Sequence, residues 1–162
     1  MLRRKGPTVD GLRAPRSLLV AVSAALLCAG CSGSLKDLEE HHAAKDPAPP
    51  SVHDGGKVVL LSPRHHGAFT FRGVRQAFTD SGAYLELGQL DRRTRLWIPV
   101  AAITGCSRTQ WGDGVWDTNL WVEDSQVLIS FPDNDDRLVQ WCKDHGLTVF
   151  DRATQSKWLN ER

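Results

Sequence analysis

A chain of 162 residues, 41% hydrophobic and 24% charged, has material for one modest core rather than several domains. Its formal charge of +1 is unevenly spread: residues 1–30 hold five of the 20 Lys and Arg side chains and one of the 19 Asp and Glu. The rest keeps 15 cations against 18 acids, a net charge near −3. That balance predicts no concentrated basic surface and excludes nucleic acid as a partner.

Arg3, Arg4, Lys5, Arg13 and Arg16 precede an apolar run from Leu18 to Leu27, after which Ala29 and Gly30 lead into Cys31. This is the layout of a secretory signal over residues 1–30. The 14 residues from Ser17 to Gly30 would make a helix of about 21 Å, too short for a hydrocarbon core of roughly 30 Å. The stretch Leu27–Cys28–Ala29–Gly30–Cys31 resembles the lipobox of bacterial lipoproteins, with Cys28 where that family usually has an aliphatic residue. The resemblance implies a diacylglyceryl group on Cys31 and further palmitate-type acylation. Each buried methylene adds about 0.8 kcal/mol, so several chains make an anchor effectively permanent. Ser32 stands where this family carries Asp for retention in the inner membrane, which implies an outer-membrane anchor with the domain in the periplasm or at the cell surface. An ordinary cleaved signal without lipid is the alternative.

Residues 31–56 read as a lipidated N-terminus and flexible tether. They are polar, contain the Pro47–Ala48–Pro49–Pro50 run, and show at most one or two helical turns from Leu35 to Ala44. The globular domain is expected over residues 57–162. With Cys28 lost in the signal and Cys31 taken by lipid, Cys106 and Cys142 remain in an oxidising compartment and are expected to form a disulfide. A redox or catalytic thiol would need a Cys-x-x-Cys pair or an adjacent base, and neither is present.

The first apolar run is Lys57–Leu61. Phe69–Thr79 alternates imperfectly, with a bulge expected at Gly73. In Tyr84–Leu90, Leu85 and Leu87 share a face opposite Glu86. In Thr94–Val100, Leu96, Ile98 and Val100 share one, and Pro99 marks an edge strand. Ile103–Trp111 extends the sheet. The hairpin Asn119–Val122 with Gln126–Phe131 points Leu120, Val122, Val127, Ile129 and Phe131 inward. Pro132 and Asp133 or Asn134 start the one firm helix, which carries Leu138, Trp141, Cys142 and His145 and ends at Gly146. Leu147–Phe150 is a short final strand, and the tail from Arg152 a frayed helix with Trp158.

Six tryptophans invite a binding surface. Trp111, Trp116 and Trp121 flank a Gly- and Asp-rich turn suited to stacking a sugar ring or gripping a peptide, with interior packing as the competing role. Trp97 lies opposite Leu96 and Ile98. No metal is expected. The pairs His41–His42 and His65–His66 diverge and lack a third ligand, and Asp113, Asp117, Glu123 and Asp124 do not follow a calcium-loop spacing. No cofactor is expected either, since there is no phosphate-binding glycine loop, and the serines lie in no nucleophile elbow.

The expected fold class is mainly β or α+β: a small antiparallel sheet or partly open barrel with one C-terminal packing helix. Short strands followed by that helix, with an Ile-Pro-x-x-x-Ile phrase at Ile98, Pro99 and Ile103, resemble the bacterial pleckstrin-homology-like and GRAM fold. The expected function is a non-enzymatic envelope lipoprotein, held to the membrane by its lipid, that binds a protein, peptide or glycan through Trp111, Trp116 and Trp121. A small hydrolase using loop carboxylates and a purely structural envelope protein are the alternatives. Two carboxylates and a His in one cleft would point to the enzyme.

Overall fold

The computed structural model describes residues 33–65, 67–89, 92–111 and 114–160, apart from the side chains of Gln89 and Trp111. Eight strands and three helices are present among them. They run as α1 (33–42), β1 (His53–Ser62), β2 (Gly67–Thr79), β3 (Gly82–Gln89), β4 (Arg92–Pro99), a 3-10 turn (Val100–Ala102), β5 (Ile103–Trp111), β6 (Val115–Val122), β7 (Val127–Pro132), α2 (Arg137–Asp144), β8 (Thr148–Phe150) and α3 (Arg152–Asn160). The strands form one sheet in the order β4-β3-β2-β1-β7-β6-β5-β8, antiparallel except where β8 joins β5. The protein is therefore mainly β, with an open sheet and a C-terminal helix.

Period-two burial bends this sheet around its main core. Val58, Leu60, Leu85, Leu87, Leu96 and Ile98 from one half meet Leu120, Val122, Val127, Ile129 and Phe131 from the other. Leucine-rich inner faces and polar outer faces fix the register, because a one-residue slip would turn every apolar side chain outward. Gly56 and Gly73, with φ of 71° and 62°, sit where the β1–β2 pairing skips residues. The skip changes the side-chain phase: Phe71 and Val74 both reach the core, while Arg72 and Arg75 both face out. Pro99 ends β4, the edge strand, as the sequence predicts.

One expectation is corrected here. Residues 33–42, taken as tether, form α1, whose Leu35 and Leu38 are buried in the main core. His65 donates from Nε2 to Asp37 at 2.9 Å, and His42 donates from Nε2 to Asp124 at 2.9 Å. Arg92 pairs with Glu39. Beyond α1, Ala43 bridges Leu96, and the Ala44 amide donates to the Arg95 carbonyl at 2.9 Å. That contact covers part of the β4 edge, where open backbone groups would otherwise invite pairing. The folded part thus begins well before Lys57.

The C-terminal half also holds more than one packing helix. Asp133 starts α2 by accepting the amides of Leu138 and Val139 at 2.9 and 3.1 Å. Leu138 and Cys142 enter the main core, and the Cys106–Cys142 disulfide joins α2 to β5. The chain then turns through Gly146 (φ 67°) into β8. Gly105 is required where β8 crosses β5, since a Cβ there would lie 2.3 Å from the Phe150 ring and 2.7 Å from the Thr148 carbonyl oxygen. α3 lies on the outer side of β5–β7. There Trp158 packs with Trp121 and Leu128 in a second apolar cluster.

Candidate functional site

The proposed tryptophan surface does not assemble as expected. Trp116 and Trp121 are five residues apart on one strand, so they point to opposite faces of the sheet. Trp121 is 3% exposed. Its ring lies 4.4 Å from Phe150 and 5.3 Å from Trp158 between centroids, and its Nε1 donates to Ser107 Oγ at 2.9 Å. It is a core residue, which corrects its assignment to a binding surface. Trp116 is half-buried under the Arg108 guanidinium, 4.5 Å above the ring, and Arg108 is in turn paired with Asp136. Trp111 pairs with Val115 along the backbone; its side chain lies outside the described residues, as does Asp113. Trp121→Ala should therefore cost about 3–5 kcal/mol, while Trp116→Ala, losing one exposed stack, should cost about 1 kcal/mol. Urea unfolding of both variants separates the two roles.

The other sequence candidates disperse. Asp117 accepts from Ser130 at 3.1 Å beneath α3, Glu123 accepts from Trp158 Nε1 at 3.4 Å, and Asp124 holds His42. No group of three His, Cys, Asp or Glu side chains among the described residues can hold a metal ion. Ser107 belongs to a buried lock with Asn119, Thr109 and Gln155 that seats α3 on the sheet. His145 is fixed by the carbonyls of Trp141 and Asp80 at 2.8 and 3.2 Å. Cys31 lies outside the described residues.

A large concavity lies elsewhere, away from the Trp111–Trp121 turn. A groove of about 790 Å³ opens between the segment following α1 and the outer face of β3–β4. Tyr84, Trp97 and Pro99 form one wall, Pro47 and Pro49 the other, with Ala101 at the 3-10 turn. Trp97 is half-buried there because it alternates with Leu96 and Ile98, whose side chains fill the core. That alternation was the one signal in the sequence that marked it. His41, His42, Asp46 and Asp124 line the same groove. His42 is 5% exposed and turned onto Asp124, whose side chain is 41% exposed, so the carboxylate is the partner that faces the opening. The His41 imidazole titrates above the usual histidine range, chiefly because its Nδ1–H donates to the Asp37 carbonyl.

Beside the groove, Tyr84 and Glu86 are buried on the outer side of β3. Glu86 accepts from Arg93 at 2.7 Å and lies 3.7 Å from Arg75. The Arg93 hydrogen bond is the main reason its carboxyl titrates below the usual range. Burial, then the Glu86 charge, pushes the Tyr84 phenol upward. These two side chains are held ionised and neutral respectively, a fixed polar floor rather than a proton-transfer pair. A smaller concavity of about 490 Å³ lies between the start of β1, β2 and the start of α2. Of its charges, Asp133 caps α2 and Asp135 pairs with Arg137. Compared with protein-family models and with curated proteins, the chain matches none.

Proposed function

We propose that this chain is an envelope lipoprotein, anchored by Cys31 and acting as a non-enzymatic binding module, whose ligand enters the Trp97–Tyr84 groove. The observation that carries the reading is the groove itself: the partly exposed Trp97 indole, backed by the buried Tyr84 ring, faces two prolines across a volume large enough for a sugar ring or short peptide. A half-exposed carboxylate, Asp124, is oriented at the opening by a buried histidine and can accept hydrogen bonds from a ligand. The antiparallel run of β1–β7 followed by α2 supports a pleckstrin-homology-like ancestry for the scaffold; α1, β8 and α3 depart from that simple pattern.

The docked α1 changes what the anchor does. Only Ser32 separates Cys31 from Gly33, two backbone steps with a reach of at most about 7 Å. A lipid on Cys31 therefore seats the domain against the bilayer surface instead of suspending it nanometres away. Cys31→Ser should release the protein into the soluble fraction; if the variant remains in the membrane as firmly as the parent, the anchor is misassigned.

The groove is tested in the cell by placing a benzophenone side chain at the exposed position 101, on the groove rim. Irradiation should yield an adduct, and Trp97→Ala should abolish it. Absence of any adduct, or an adduct indifferent to Trp97, removes the groove as a binding site. A second reading has a specific observation behind it: two carboxylates, Asp46 and Asp124, share this cleft with His41 and His42, as a hydrolase would require. If Asp124→Asn trapped more adduct than the parent, by blocking turnover of a bound substrate, the hydrolase reading would replace the binding one.

A further inference from the structure

The outer face of β1–β4 gathers cations that the sequence scatters. Alternation and register bring Lys57 of β1, Arg72 and Arg75 of β2, and Arg93 and Arg95 of β4 onto one surface. Lys57, Arg72, Arg93 and Arg95 are exposed, and Arg75 is 42% exposed. Among the described residues, only Asp54 and Glu86 stand against these five on the same outer rows, while Asp46 and Asp124 line the adjoining groove. The net charge of the chain beyond the signal, near −3, therefore hides a basic face, which corrects the expectation drawn from composition.

Two features of this face are unfavourable for stability alone. Lys57 lies directly opposite Arg72 in the ladder, and like charges in that position repel. Among the described residues, Lys57, Arg72 and Arg95 have no carboxylate within ion-pair distance, while the buried acid of this face, Glu86, is spent on Arg75 and Arg93. A local violation of this kind, uncompensated within the fold, is the expected mark of a ligand surface. The strip is also continuous with the groove. Arg95 precedes Trp97 by two residues on the same face, and Tyr84 and Trp97 line the groove itself.

We propose that this surface binds an anionic polysaccharide, with Trp97 stacking a sugar ring in the groove and Arg95, Arg93, Arg72 and Lys57 meeting carboxylate or phosphate groups on successive units. The proposal rests on the groove reading above and adds the ligand class to it. Guanidinium groups match both anions in planar, two-point fashion, and an indole face accepts a pyranose by its apolar side. A flat lipid surface can reach the exposed cations but cannot enter the groove between Trp97 and Pro47.

The detergent-solubilised full-length protein is titrated with alginate, phosphomannan and neutral dextran, and with phosphatidylglycerol vesicles. Binding of one or both acidic polymers but not dextran is expected; alginate alone identifies carboxylate as the anion and phosphomannan alone phosphate. Affinity should fall at least about tenfold between low and physiological salt. The triple variant K57Q/R72Q/R95Q should weaken binding by about tenfold or more with no loss of melting temperature, since it relieves a repulsion and breaks no ion pair. Lys143→Gln, an exposed cation on α2, should leave affinity unchanged. Dextran binding equal to alginate, retention of affinity by the triple variant, or binding to the vesicles without the polysaccharides overturns the proposal. A Trp97-dependent adduct at position 101 without polysaccharide binding overturns the ligand class and leaves the groove standing.

Discussion

Removing the Cys106–Cys142 bridge should lower the unfolding free energy by about 4 kcal/mol and the melting temperature by roughly 10–20 °C. The bridge closes a loop of 36 residues, and the magnitude is the chain entropy that such closure removes from the unfolded ensemble. The native state gives a second reason. Both cysteines are fully buried in the main core, and their bond holds α2 against β5. β8 follows α2 directly, with the Leu147 amide donating to the Cys142 carbonyl at 2.9 Å, and β8 in turn pairs with β5. Loosening α2 therefore frees the parallel edge of the sheet as well. Cys106→Ala/Cys142→Ala adds a cavity to the lost constraint, so the thermal melt of the reduced wild-type protein is the cleaner measurement. A reduced protein that melts with the oxidised one would show that the bridge contributes nothing; alkylation of both thiols without reductant would show that it does not form.

Leu38→Ala should cost about 2–5 kcal/mol, as much as a truncation in the middle of the sheet. The expectation follows from where the residue sits. Leu38 is fully buried in the main core with Leu35 beside it, and the helix carrying it is pinned by His42–Asp124, His65–Asp37 and Arg92–Glu39. A ten-residue helix is marginal by itself in water, so packing rather than propensity holds α1 in place. Conversely, Lys36→Ala, on an exposed position of the same helix, should change stability by less than about 0.5 kcal/mol. Guanidinium unfolding of the pair decides whether this segment is part of the fold or a leash. Equal midpoints for both variants and the parent would mean a leash.

Within the strands, the sequence was a good guide because burial there follows a two-residue period. The inward set Leu85, Leu87, Leu96, Ile98, Leu120, Val122, Val127, Ile129 and Phe131 could be read from alternation and lies in the main core, whereas Val100, expected on the face of Leu96 and Ile98, falls in the 3-10 turn and is half-buried. The bulge at Gly73 and the edge at Pro99 were legible because glycine and proline constrain the backbone directly. α1 was not legible in the same way. Its buried positions Leu35, Leu38 and His42 follow helical spacing, but two leucines and a histidine make too short a stripe to stand out. What fills the third position is a hydrogen bond to Asp124, 82 residues away in the chain, which no local pattern announces.

The candidate site divides along the same line. The sequence by itself determined the composition of the signal-like N-terminus, the cysteine pair, and the side of each strand on which a residue falls. Those properties depend on neighbours a few positions apart. Tertiary structure alone decided which outward-facing residues would have company. Strand order placed α3 over Trp121 and left Trp97 beside a groove walled by Pro47 and Pro49. Register, together with the bulge in β1–β2, put Lys57 across from Arg72 and carried Arg75 to the same Glu86 that holds Arg93. Net charge is a sum over the chain and is blind to this, whereas the field at a surface depends on distances between charges, and those are set by the pairing of strands.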